Sequence, residues 1–164
     1  MYKIRAMSRY EDVWISSPDL HHLFSQLTES TELPEEQYKK WFAETVENPY
    51  VTMFAVIESP GRYPKLVGFG TLWTQPKYYR NNGKSGHIED IVIDKEHRNK
   101  GLGKDLVKHI IDYAKNTGCY KVQLHCSQEM QPFYEKLEMI HTTQGMSTYV
   151  NEKMGPSSIL TPPL

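Results

Sequence analysis

The segment Asp94 to Lys104, DKEHRNKGLGK, holds the residues best suited to chemistry. It carries Lys95, Arg98, Lys100 and Lys104 around Arg98-Asn99-Lys100-Gly101-Leu102-Gly103. Glycines let the main chain approach a ligand closely and adopt positive φ. The first turn of a helix offers N–H groups without intrahelical partners. Together they form an anion cradle, for which phosphate is the usual occupant. On spacing alone, the same residues also suit a tight strand-to-helix turn with solvated lysines. A Walker loop is excluded because Gly103-Lys104 is followed by Asp105, not Ser or Thr. A dinucleotide fingerprint is excluded because its third glycine is replaced within Lys104-Asp105-Leu106. Just upstream, Glu89 and Asp90 are adjacent carboxylates inside the apolar run His87 to Asp94. Strand alternation predicts that they face opposite sides of a sheet. Either they meet a substrate, or one is solvated and the other is paired with a base.

These residues need a scaffold, and the hydrophobic pattern supplies one. Tyr2 to Ala6 reads as an edge strand. Ser17-Pro18-Asp19 reads as a helix start with Ser17 as N-cap, followed by an apolar face of Leu20, Leu23, Phe24 and Leu27. Leu33-Pro34-Glu35-Glu36 starts a second helix that buries Tyr38, Trp41 and Phe42 and ends at Asn48-Pro49. Val51 to Glu58 and Leu66 to Thr74 form a predicted hairpin, and Asn82-Gly83 marks a turn before the next strand. A helix opens at the glycine turn and carries Leu106, Val107, Ile110, Ile111 and Ala114, with its stop at Gly118. Tyr120 to Cys126 is the following strand, Pro132 to Leu137 a short helix, and Met146 to Val150 a last strand. Antiparallel strands followed by strand–helix–strand–helix predict an α/β chain with a mixed sheet. One domain over residues 1–154 is expected, with residues 155–164 as a loose tail of three prolines and two serines.

Composition limits the function classes. Nineteen basic and twenty acidic residues give a net charge of -1, which argues against a broad grip on nucleic acid. No apolar run approaches the ~18 residues of a membrane span, and Met1-Tyr2-Lys3-Ile4-Arg5 is not the apolar run of a signal peptide. Cys119 and Cys126 are too few for a disulfide framework. These counts permit a soluble intracellular enzyme without establishing one, and the cytoplasm is the expected compartment. Seven scattered histidines without CxxC or HExxH point to no metal site.

With Walker and dinucleotide loops excluded, R-x-x-G-x-G after a strand remains. It resembles motif A of the GNAT superfamily of N-acetyltransferases, in which it binds the pyrophosphate of acetyl-coenzyme A. The likeness extends to the glucosamine 6-phosphate N-acetyltransferase branch: Gly86-His87-Ile88-Glu89-Asp90 resembles its GHIED strand, Gly118-Cys119-Tyr120-Lys121 its GCYK strand, and Phe133-Tyr134-Glu135-Lys136 its FYEK helix. The resemblance implies the GNAT fold, with a mixed, mostly antiparallel central sheet flanked by helices. It implies a coenzyme site formed by Ile91, Val92, Ile93, Arg98, Asn99, Lys100, Gly101, Leu102, Gly103, Lys104 and Lys136. A main-chain N–H near Ile91 or Val92 would meet the acetyl carbonyl. Glu89 or Asp90 would orient the amine or help remove its proton. Tyr134 would face the coenzyme sulfur and protonate the departing thiolate. Homodimers, with the last strand exchanged or packed across the two-fold axis, are usual in this branch.

The acceptor half departs from that pattern. The family carries an acid before Cys126, whereas this chain has His125, whose ordinary pKa of ~6.5 suits a general base. A structural His at a strand end is the other reading. Met130 stands for an Asn, Glu138-Met139 for Gly-Phe or Gly-Tyr, and Tyr149 for an Arg that would grip the sugar phosphate. Gln75-Pro76-Lys77 softens a Glu-Arg-Lys triplet but retains Lys77. The expected substrate-binding residues are therefore Glu89, Asp90, Lys77, His125 and Tyr149. The expected catalytic residues are Tyr134, Glu89 and His125. The altered acceptor half leaves three readings: transfer to glucosamine 6-phosphate, transfer to another amine, or coenzyme binding without catalysis.

Overall fold

The structure is a computed structural model and describes residues 1–9, 11–12, 14–59 and 64–142. The predicted last strand, Met146 to Val150, and the 155–164 tail lie outside the described residues.

Among the described residues, five strands form one sheet in the order β1 (Tyr2–Ala6), β2 (Val51–Glu58), β3 (Lys65–Pro76), β4 (Lys84–Ile93) and β5 (Cys119–Gln123). The first four are antiparallel neighbours, and β5 joins β4 in parallel. The change of direction follows from the connections: a hairpin can only reverse the chain, whereas helix α4 (Leu102–Asn116) carries it back for a parallel return. Before β4, the four-residue segment α3 (Tyr79–Asn82) holds Arg80, Asn81 and Asn82 at φ of 59°, 54° and 55°. It is a left-handed turn where the sequence predicts one. After β5 comes the short helix α5 (Gln131–Glu135).

Each face of the sheet has its own core. On one, Leu102, Leu106, Val107 and Ile110 of α4 cover Leu72, Ile88, Ile91 and Ile93. On the other, α1 (Ser17–Phe24) and α2 (Glu35–Val46) lay Leu20, Leu23, Tyr38 and Phe42 over Met53, Phe69 and Val92. Burial of side chains this size stabilises by about 1.5–3 kcal/mol each, so both helical layers are held mainly by packing. No helix among the described residues is long and apolar enough to cross a membrane.

Several boundaries differ from expectation. The N-cap of α1 is Ser16, not Ser17; the Asp19 carboxylate accepts from the Ser16 N–H and O–H at 2.8 and 2.6 Å. Helix α1 stops at Phe24, and Leu27 falls in the following turn. Strand β5 ends at Gln123, so Leu124, His125 and Cys126 are not strand residues.

Candidate active site

Strand β4 is the spine of the site because it is shared by both faces and left partly unpaired. Its ladder with β5 stops at His87↔Gln123. Beyond that pair β5 ends, while β4 continues to Ile93 with only β3 beside it among the described residues. Among those residues, the main-chain groups of β4 after Ile88 on the β5 side have no strand to bond. A parted edge of this kind can accept an extended ligand and donate an N–H to a carbonyl oxygen. Ile91, Val92 and Ile93 lie along it, with their side chains buried.

The carboxylates do not face opposite sides. Phe69 pairs with Val92 and Thr71 with Glu89, so two steps on β3 match three on β4. The surplus residue is a β-bulge, and Asp90 takes φ 57° within it. Ile88 and Ile91, three apart, consequently both enter the α4-side core. Glu89 stands on the other face opposite Thr71, whose hydroxyl donates to Asp90 Oδ2 at 3.2 Å. The bulge thus gathers both carboxylates on the α1/α2 side. Gly70 makes room for it, since a Cβ there would lie 2.7 Å from Ile91 Cδ1 and 3.0 Å from Ile110 Cδ1. Desolvation raises the Asp90 carboxyl above its usual range; the Thr71 hydrogen bond opposes this, and the Glu89 charge adds to it. A carboxylate held this way favours a cationic neighbour.

Two imidazoles adjoin this pair. His87 lies on the Glu89 face, with Nε2 3.6 Å from Glu89 Oε1. His125 is exposed, and its ring centroid is 5.0 Å from that of His87. Burial pushes the His87 imidazole below 6.5; Glu89 pulls it up and His125 pushes it down. At neutral pH His87 is therefore uncharged and able to accept a proton. The sequence reading missed His87, although its i, i+2 spacing from Glu89 is the signal that places both on one face.

Tyr134 sits on the opposite, α4 side, in the core with Ile91, Leu102 and Leu106. Burial, with a smaller contribution from the Cys126 thiol, pushes its phenol up to about 12. The hydroxyl is therefore a proton donor at every physiological pH. Desolvation also raises the thiols of Cys119 and Cys126, so neither is an activated nucleophile.

The glycine turn fits a phosphorylated ligand. Gly101, the N-cap of α4, has φ 82°, and Asn99 before it has φ 61°. The first α4 bond runs from the Asp105 N–H to the Gly101 carbonyl at 3.0 Å. That leaves the amides of Leu102, Gly103 and Lys104 ahead of any intrahelical acceptor. A Cβ on Gly101 would meet nothing within 4 Å, so the turn is open where an anion would arrive. Lys95 and Lys104 are exposed beside it. Lys100 Nζ reaches the Tyr2 hydroxyl at 3.4 Å. Arg98 is partly committed to structure, with Nε donating to the Ile93 carbonyl at 3.0 Å and Nη2 to Gln26 at 3.4 Å.

Lys77 lies just past the end of β3, and its ammonium donates to Gln75. Lys136 is exposed at the end of α5. Tyr149 lies outside the described residues.

The anion cradle, the parted edge, the paired carboxylates and the neutral phenol all adjoin β4. The Acetyltransferase (GNAT) family model matches residues 17–139, and the chain belongs to that family. It is 39% identical over 127 residues to the glucosamine 6-phosphate N-acetyltransferase of Arabidopsis thaliana, covering 77% of this chain and 85% of that one. It is 34% identical over 125 residues to glucosamine 6-phosphate N-acetyltransferase 1 of Dictyostelium discoideum, covering 76% and 78%. The crystal structure of glucosamine-6-phosphate N-acetyltransferase from Arabidopsis thaliana superposes with a TM-score of 0.79 at 33% identity, over 92% of this chain and 99% of that one. A Trypanosoma brucei acetyltransferase structure also gives 0.79, at 28% identity over 92% and 100%.

Proposed function

We propose that this chain transfers the acetyl group of acetyl-coenzyme A directly to the amine of glucosamine 6-phosphate. The observation that carries this reading is the meeting on β4 of the parted edge with the bulged carboxylate pair. That relatives at 39% and 34% identity are glucosamine 6-phosphate N-acetyltransferases supports the sugar phosphate as acceptor.

Acetyl-coenzyme A supplies a thioester carbon for a neutral amine to attack. The amides at the start of α4, with Lys95, Lys100 and Lys104, hold its phosphates. A main-chain N–H of β4 near Ile91, on the side away from β3, polarises the acetyl carbonyl. Glu89 and Asp90 hold the incoming ammonium, and the uncharged His87 beside Glu89, with His125 next to it, takes one proton to free the amine for attack; the second, lost to solvent as the C–N bond forms, offsets the one that Tyr134 gives to sulfur. Tyr134 donates a hydrogen bond or proton toward the sulfur as the C–S bond breaks. The product is N-acetylglucosamine 6-phosphate, which suits supply to UDP-N-acetylglucosamine synthesis in the cytoplasm by a homodimer of the kind usual in this branch.

Thiol release from acetyl-coenzyme A with saturating glucosamine 6-phosphate tests the reading. Turnover abolished or strongly reduced by Tyr134→Phe is the expected result. Coenzyme binding without acetylation of the sugar overturns it. One observation favours a second acceptor: His125 occupies the place of a family acid and faces His87. A screen in which another amine outperforms glucosamine 6-phosphate would select that alternative.

A further inference from the structure

The carboxylates explain where an amine is held, but not what holds the rest of the acceptor. Trp73 stands two residues from Thr71 in β3, hence on the same face, and pairs directly across from His87. Tryptophan in mid-sheet is normally covered, yet this one is 46% exposed, whereas Val51, its partner on β2, is 6% exposed. Helix α2 ends at Val46 and leaves the ring bare. Two hollows meet at the indole. One, of about 410 Å³, passes His87 and Gln123. The other, of about 290 Å³, reaches Thr71 and Asp90 beside Trp41. The ring is thus a wall common to the imidazole side and the carboxylate side.

We propose that Trp73 determines acceptor specificity, its indole being the platform on which the ring of a hexosamine lies while the amine points to Glu89 and Asp90. This deepens the acetyl-transfer reading and rests on it. One strand repeat, about 6.6 Å, separates Trp73 from the Thr71–Glu89 row. That distance accommodates an exocyclic amine and one hydrogen bond of about 2.9 Å. A pyranose has an apolar C–H face for the indole and a polar edge for Gln75, His87 and Gln123, which line the same hollow. A straight-chain amine has no such face and gains little from a flat platform.

The test is steady-state kinetics of wild type, Trp73→Phe and Trp73→Ala, combined with tryptophan emission. Trp73→Ala should raise KM for glucosamine 6-phosphate by about tenfold or more. KM for acetyl-coenzyme A and Tm should stay unchanged, and Trp73→Phe should recover most of the loss. Glucosamine 6-phosphate should quench emission in wild type but not in Trp73→Phe. An unchanged acceptor KM in Trp73→Ala overturns the platform. So does a joint rise in both KM values with a falling Tm, because that marks a structural role. A linear diamine with the same dependence on Trp73 overturns the sugar assignment. If wild type fails to acetylate the sugar, the proposed function fails separately. Emission then decides: Trp73-dependent quenching retains the platform, and its absence removes it.

Discussion

Tyr134 is held neutral by burial, with its phenol pushed up to about 12. Its group contributes to stability fully below its ordinary value near 10, and that contribution is lost as pH rises from 10 toward 12. Between pH 6 and 9 it stays a donor. Tyr134→Phe should therefore lower kcat about 100-fold by a factor that is constant across this range, with both KM values little changed. A pH profile of wild type and variant checks this. His125 shifts its neighbour instead. Its charge pushes the His87 imidazole down, so His125→Asp should raise the His87 pKa, readable by NMR titration of the imidazole. The same change restores the family acid and should increase kcat/KM for glucosamine 6-phosphate. Asp90 carries an opposed pair of demands. Its raised pKa means that ionisation costs stability at neutral pH, a cost absent below about 3.8. Asn also tolerates its φ of 57°. Asp90→Asn should raise Tm at pH 7, with the gain fading as pH falls below the folded pKa, while acetyl transfer declines.

At the scale of elements, the glycine turn makes the most separable prediction. Gly101 sits at φ 82° with open space where a Cβ would stand. In Gly101→Ala the cost to the free protein is conformational, about 1–2 kcal/mol. The same methyl occupies the approach to the α4 amides, so coenzyme binding should suffer more than folding. Thermal shift with and without acetyl-coenzyme A separates the two effects: Tm of the free protein should fall by a few degrees, and the ligand-induced rise should largely disappear. This turn was legible in the sequence because its glycines and basic residues are local in chain order. So were α4, with its stripe from Leu102 to Ala114, and the β2–β3 hairpin. The bulge was not legible. Alternation presumes an unbroken pleat, and Asp90 is a non-glycine residue that announces no positive φ. The early end of β5 was also hidden, because Leu124-His125-Cys126 retains strand-like composition after pairing with β4 has ceased. His87 and Trp73 escaped notice for a related reason: each gains meaning only from the residue across the ladder.

Across the whole molecule, the two halves of the site lie on opposite faces of the sheet and meet along β4: the cradle and Tyr134 lie with α4, and the carboxylates lie with α1 and α2. Something must tie the acceptor-side helices to the coenzyme turn, and Asp94 does so. It is 1% exposed. Its Oδ2 meets His22 Nε2 of α1 at 2.7 Å, and its Oδ1 accepts the Glu96 N–H at 2.9 Å. His97, 3.5 Å from Asp94 Oδ1, reaches Glu58 of β2 at 3.2 Å. Just past α1, Gln26 accepts the Lys95 N–H at 2.8 Å and also meets Arg98. Burial alone would raise the Asp94 carboxyl, but the hydrogen bonds with the Glu96 N–H and His22, helped by the close His97 ring, outweigh it and hold the group below its usual range. Its stabilising contribution is thus present above about 3.8 and is lost as pH falls through the lower, folded pKa. Asp94→Ala strands several polar partners at once, which costs about 2–3 kcal/mol and should lower Tm by about 4–12 °C. That deficit should persist from neutral pH down to about 3.8 and narrow below it. Gln26→Ala, which spares the buried carboxylate, should leave Tm nearly unchanged but raise KM for acetyl-coenzyme A several-fold. A matching rise in acceptor KM would mean that Gln26 supports both sides of the sheet and not the turn alone. The two variants together, compared by thermal melts and by the two KM values, separate holding the layers together from shaping the turn.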